Sequence, residues 1–305
     1  MTSRQNPKRQ HHHVWQRYLK SWTASDGAIW CLQNGRTFAT GTPVIAVEKD
    51  FYKLHKVTND DVELIKALFD KGHPLSKRNH ASLLNMVMAP FQITEQVKNP
   101  QQRATIEQLL DDYASDVLED YHASIEASFI PSLESALNGD ISFYIDDERC
   151  IPFLNYLCTQ LMRTKGVKER AIKLCDADKS ANLSRVWNVL IHMFATNIGA
   201  SLYLERKQRK LILVRNHTDV PFITGDQPAI NLKGTRPRPP ENLSIYYPVS
   251  PQLALLLADV GEQPLFSAEG LTAAQASMLN TKLFEASYKQ VFAQTEGSLK
   301  ALRRE

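Results

Sequence analysis

Short strand-like runs stand at both ends of this chain, with a long stretch of helical periodicity between them. That arrangement constrains the fold more than any single motif does. Residues 28–32 form an apolar run, Asn34-Gly35 is a hairpin turn signal, and residues 36–39 resume an extended pattern. Residues 44–47 read as another short strand. Towards the other end, residues 211–214, 222–224, 229–232, 245–247 and 253–257 are strand candidates. The first group is too small to hold a core alone. The expectation is therefore an α+β fold: one domain over residues 1–305, its helical middle packed on a mixed or antiparallel sheet built from N- and C-terminal strands.

Three zones divide the chain. Residues 10–55 hold a short helix and small strands, with Val14, Tyr18, Leu19 and Trp22 at helical spacing. Residues 58–205 are helical. Asn59-Asp60-Asp61 caps one helix, and Pro100 opens a long one. On the long helix Ile106, Leu110, Tyr113, Val117, Tyr121, Ile125 and Phe129 form the expected apolar stripe. Pro131 is expected to kink or divide that helix, and Asn138-Gly139 to end it. A further helix begins near Asp147, and the last of this zone covers about 182–205. Residues 210–305 are richer in strands. Pro237, Pro239 and Pro240 mark an exposed loop, and a helix from about 272 to 293 closes the zone.

With 43% hydrophobic and 23% charged residues, the composition is that of a folded chain. The net charge of +3 permits an anionic ligand without demanding one. Basic residues concentrate locally, at Arg4, Lys8, Arg9, Arg17 and Lys20, and again at Arg206, Lys207, Arg209, Lys210 and Arg215. Cys31, Cys150, Cys158 and Cys175 make no C-x-x-C pair and read as reduced thiols. No signal-peptide pattern opens the chain, and no apolar run approaches a membrane span, so the expected location is the cytoplasm, away from a membrane.

Several side chains have the right chemistry for a site. In His11-His12-His13, an extended backbone would put His11 and His13 on one face and His12 on the other. Glu119 and His122 make a single Glu-x-x-His, with Glu126 a turn further on; a di-iron bundle needs that motif twice. Tyr156, Gln160 and Arg163 line one helix ridge, where Gln160 and Arg163 would hold a phosphate or carboxylate by a forked contact. The stretch Phe222-Ile223-Thr224-Gly225-Asp226-Gln227-Pro228 runs from a strand into a turn. There Asp226 either displays a carboxylate at a strand end or caps the turn through its own backbone, and capping is the favoured expectation. Walker A, G-x-G-x-x-G, H-E-x-x-H and G-x-S-x-G patterns are missing, which removes support for NTPase, Rossmann, zincin and α/β-hydrolase chemistry.

Four stretches in order carry a resemblance: His12-His13-Val14 with Arg17-Tyr18-Leu19; Asp50-Phe51-Tyr52; Gln160-x-x-Arg163-Thr164; and the run from Phe222 to Pro228. Tyr247-Pro248-Val249-Ser250-Pro251 and Asn280 follow in similar style. The chain thus resembles bacterial domain-of-unknown-function family 4238, whose members open with a His-His-x-Val-Pro-x-x-Tyr-Leu pattern, from about residue 10 to 294. Trp15 stands where the family usually has Pro, Gly225 and Gln227 where it has Ser and Asn, and Lys165 where Pro is typical. Residues 56–100 look like an insertion, and Glu126 resembles the family's helical glutamate. The resemblance implies a shared fold and no established activity.

Two functions remain open at this point. In the first, the chain is a metal-dependent phosphodiesterase or nuclease, in a setting of bacterial defence against phage. His12, His13, Glu126, Gln160, Arg163 and Asp226 would carry the chemistry. His13, Glu126 and Asp226 would hold a divalent metal, and nucleic acid or another phosphorylated ligand would be the partner. In the second, the chain is a non-catalytic binding or interaction protein, and the same polar residues are a hydrogen-bond network that fixes the N-terminal segment to the core.

Overall fold

The computed structural model describes residues 8–69, 74–175, 177–234, 242–261 and 270–302. Arg4 and the loop at Pro237, Pro239 and Pro240 lie outside these residues. The fold is α+β, as the distribution of strand and helix patterns implied.

The N-terminal zone holds β1 (Gln10–His12), the single-turn α1 (Gln16–Leu19), the hairpin β2 (Ile29–Gln33) and β3 (Arg36–Thr40), and β4 (Val47–Lys49). Asn34 and Gly35 both take positive φ, +50° and +74°, as a two-residue hairpin turn requires. The expected strand at 44–47 begins only at Val47, because Thr42–Val44 wind into a 3-10 turn after Gly41.

The middle contains α2 (Asn59–Phe69), α3 (Pro74–Gln96), α4 (Pro100–Leu137), α5 (Asp147–Met162), α6 (Lys165–Lys173) and α7 (Ala177–Leu204). The Asn99 side chain caps α4 by accepting from the amides of Gln101 and Gln102. Gly139, at φ +86°, follows its end. Pro131 neither divides nor ends α4. It sits on the exposed face, where the carbonyl it leaves without a donor can turn to solvent.

The buried face of α4 also differs from the expected stripe. It runs through Ala114, Leu118, His122, Ile125, Phe129, Leu133 and Ala136, while Tyr121 is exposed. Counting only apolar residues skipped His122 and rotated the stripe. The true face carries one imidazole into the interior and sets Glu119 and Glu126 at its margins.

The C-terminal zone contributes β5 (Arg209–Arg215), β6 (Thr224–Gly225), β7 (Ile230–Asn231), β8 (Ile245–Ser250), β9 (Leu253–Asp259), α8 (Ala273–Ala286), β10 (Gln290–Ala293) and α9 (Glu296–Ala301). The described strands form three antiparallel sheets: β1-β4, β3-β2-β10-β6 and β5-β9-β8-β7. The second mixes strands from the two ends of the chain, with Val291 opposite Leu32 on one side and Gly225 on the other. The closing helix expected over 272–293 stops at Ala286, and the chain turns into β10.

One large core joins α1, α4, α5, β8 and β9. At its centre Phe129 lies flat on Tyr156, ring centroids 3.9 Å apart, and Tyr18 on Tyr247 at 4.9 Å. Such pairs add about 0.5–1.5 kcal/mol each beyond their burial. A second core packs α2 and α3 against α7 and the N-terminal half of α4. Among the described residues no helix is long and apolar enough to cross a membrane.

Candidate functional site

The N-terminal arm is held to the core by side chains that bond backbone. The His11 ring accepts the Tyr52 amide at Nδ1 (2.8 Å) and meets the Lys8 carbonyl at Nε2 (2.7 Å). That pairing selects the neutral tautomer protonated at Nε2, and burial lowers the pKa of the ring in keeping with it. The Tyr18 hydroxyl donates to the Pro248 carbonyl at 2.7 Å and lies 2.7 Å from Thr224 Oγ1. Trp22 Nε1 donates to the Phe222 carbonyl at 3.1 Å. His11 and His13 are buried on one side of the arm while half-buried His12 faces the Pro43 carbonyl and the Gln16 amide, the alternation an extended backbone dictates.

Four of the nominated residues form one chain of hydrogen bonds. Gln160 Nε2 donates to the His13 carbonyl at 3.0 Å. Arg163 Nε donates to Gln160 Oε1 at 3.1 Å, and Arg163 Nη2 to Glu126 Oε1 at 2.6 Å. Arg163 terminates α5, so its charge also sits at the negative end of that helix. The Tyr52 hydroxyl closes the group by donating to the Arg163 carbonyl at 3.1 Å. The Arg163 side chain is 2% exposed and that of Glu126 15%. Burial works against the guanidinium charge, and Glu126 more than restores it. Burial lifts the Glu126 carboxyl even beside that cation. The His13 ring packs on Phe51 and leaves Nδ1 buried without a partner, its pKa pushed down to about 3 by burial first and Arg163 second.

Asp226 lies elsewhere. Its carboxylate accepts the amides of Tyr288 (2.7 Å), Lys289 (2.7 Å) and Gln290 (3.0 Å), and its own amide donates to the Gln290 carbonyl at 2.9 Å. The expected cap on its own turn is not what forms: the carboxylate caps a turn sixty-odd residues away. Burial raises its pKa against the pull of those three amides. Next to it, Gln227 receives a hydrogen bond from Thr164 Oγ1 and donates through Nε2 to the carbonyls of Ala229 (2.9 Å) and Leu161 (3.2 Å). Gly225 is required here, since a Cβ would come within 2.2 Å of Ser287 Oγ.

The expected metal set of His13, Glu126 and Asp226 is therefore not assembled. Both Asp226 oxygens are committed to backbone amides. Among the described residues no group of three or more His, Cys, Asp or Glu side chains is arranged to hold a metal ion.

Two residues left out of the expected site lie beside it. His122 packs edge-on to Tyr52 (4.2 Å between ring centroids) and faces His192 of α7 at 5.0 Å, and neither His122 nitrogen has a partner. Glu119 is half-buried with Oε2 unpartnered, and its pKa is raised to about 7 by burial, against the pull of Arg163. The Glu-x-x-His spacing had marked Glu119 and His122. Nothing local pointed to His192, seventy residues further on.

A family model described as "Protein of unknown function (DUF4238)" matches residues 10–297. Neither the curated proteins nor the solved structures contain a match.

Proposed function

The chain belongs to the DUF4238 family, whose function is unknown, and we propose that it is a non-catalytic binding protein whose polar motifs are a structural hydrogen-bond network. The observation that carries this reading is the commitment of those side chains. Gln160 and Asp226 are each engaged by backbone, and Arg163 is neutralised by Glu126 and bonded to Gln160. The charge of Arg163 is thus already met by a buried carboxylate 2.6 Å away, which lowers its attraction for any further anion. Gln160 and Tyr18 fasten the N-terminal arm, and Gln227 fastens the Gly-Asp-Gln turn to the end of α5.

One observation favours the enzyme reading, a metal-dependent phosphodiesterase or nuclease acting in phage defence. Half-buried Glu119, with its raised pKa, stands near the Arg163–Glu126 pair, and a carboxyl that titrates near neutrality suits acid–base work.

A cleavage assay on DNA, RNA and small phosphodiesters, with magnesium or manganese, separates the two. The binding-protein reading expects no turnover, and unfolding of Asp226→Ala with no activity to lose. Turnover abolished by Glu119→Gln in a folded protein would overturn it.

A further inference from the structure

We propose that the concavity beside the turn from α7 into β5 binds a small phosphate monoester carrying an apolar group. It rests on the reading of the chain as a binding protein and gives that reading a site. The cavity has a volume of about 560 Å³, within the range of small-molecule sites. Arg206, Lys207, Arg209 and Lys210 supply its basic lining. Ile141, Ile145 and Leu211 supply apolar lining, and Ile145 is 80% exposed, a large apolar surface left for a ligand to cover.

Two unsatisfied donors supply the second observation. Tyr144 lines the cavity at 4% exposure, and its hydroxyl has no hydrogen-bond partner. Arg209 Nε is likewise buried and unpartnered. Native structures rarely leave such groups unmet. Both are donors, because burial pushes the Tyr144 hydroxyl up to about 12 and keeps its proton on, so the matching partner is an acceptor. An anion among four basic side chains fits that description. Arg206 also lies over the Tyr203 ring, its Cζ 4.2 Å from the centroid, which restricts its guanidinium before any ligand arrives.

Existing ion pairs do not block the site. Arg206 pairs with Asp147, and Arg209 with Glu205 (3.1 Å) and Asp259 (2.9 Å). Those carboxylates are 70%, 49% and 41% exposed, although the Arg206 and Arg209 side chains are 21% and 11% exposed, so water reaches each pair from the acid and weakens it. A dianion over the cavity competes with them. Lys207 makes no ion pair among the described residues. The basic lining is confined to residues 206–210, so it suits one phosphate group rather than the continuous track a polynucleotide needs.

The test is titration calorimetry of the full-length protein near neutral pH and low salt, with phenyl phosphate, inorganic phosphate and phenol as probes. Phenyl phosphate is expected to bind about tenfold or more tightly than inorganic phosphate, and phenol not to register. Tyr144→Phe should weaken phenyl phosphate about tenfold without lowering Tm, since it deletes a hydroxyl that bonds nothing in the free protein. Lys207→Gln should weaken it severalfold, again at unchanged Tm. No saturable heat with phenyl phosphate, or undiminished affinity in both variants, overturns the site. Free phosphate measured in the same samples separates the two readings: its release overturns the non-catalytic reading while leaving the cavity assigned, and absence of binding overturns the cavity alone.

Discussion

Arg163 donates through Nη2 to Glu126 Oε1 at 2.6 Å, a charge pair drawn from α5 and α4 and almost closed to water. Removing one partner leaves the other buried without its counter-charge. Glu126→Ala and Arg163→Ala should each destabilise by about 3–5 kcal/mol in urea unfolding. The double variant should cost clearly less than the sum of the two. Additive losses would mean that the pair is not coupled.

Asp226 holds three consecutive amides of the segment between α8 and β10. Hydrogen bonds to a charged acceptor contribute about 1.5–3 kcal/mol each. Asp226→Ala is expected to cost at least about 3 kcal/mol. Hydrogen exchange at the amides of Tyr288 and Lys289 should accelerate first, before exchange in α4. Unchanged protection at those amides would remove Asp226 from its assigned role.

Gly225→Ala should destabilise by about 1–3 kcal/mol, because the added methyl meets Ser287 Oγ at 2.2 Å and the Gln290 carbonyl oxygen at 3.0 Å. Adding Ser287→Gly should recover part of that loss by relieving the first contact, leaving the second. Thermal melts of the single and double variants decide it.

Buried histidines give the stability a pH dependence. Burial, then Arg163, holds His13 and His192 near a pKa of about 3, against 6.5 for a free imidazole. An unfolded chain takes up those protons near pH 6.5 and the folded one refuses them. The contribution is therefore complete above 6.5 and drains away below it, at about 1.4 kcal/mol per pH unit for each ring. His11 and His122, also lowered by burial, act in the same direction. Glu119 acts oppositely. Its folded pKa of about 7 exceeds the ordinary 4.5, so its contribution is full below 4.5 and is lost as pH rises through 7. Glu126 and Asp226, also raised by burial, act with Glu119. The lowered histidines outnumber these three carboxyls, and net stability should fall as pH drops below about 6. His192→Phe should flatten that slope by about 1.4 kcal/mol per unit in denaturant melts.

What sequence patterns could and could not reveal follows from where each interaction's partner lies. The hairpin at Asn34-Gly35 was legible because its two positive φ angles are a local demand with a local signature. Gln160 and Arg163 were legible as a pair because three positions of α5 separate them. The end of α8 was not, because the carboxylate that draws residues 288–290 out of helical geometry is Asp226, distant in the chain. Its targets are main-chain amides, which every residue but proline carries and no letter marks. The inward face of α4 was misjudged for a related reason: His122 is a polar letter at an interior position, made compatible by Tyr52 and His192 from elsewhere in the fold.

The sheet order β3-β2-β10-β6 sets a limit on when this protein can be finished during synthesis. Residues 290–293 are the inner strand that the early hairpin and β6 both need as a neighbour. A chain emerging from the ribosome must hold residues 29–40 without that neighbour until residues 290–293 have been made. Translation products that stop short of residue 290 would expose two strand edges at once, and would be substrates for chaperones and proteases rather than smaller working proteins.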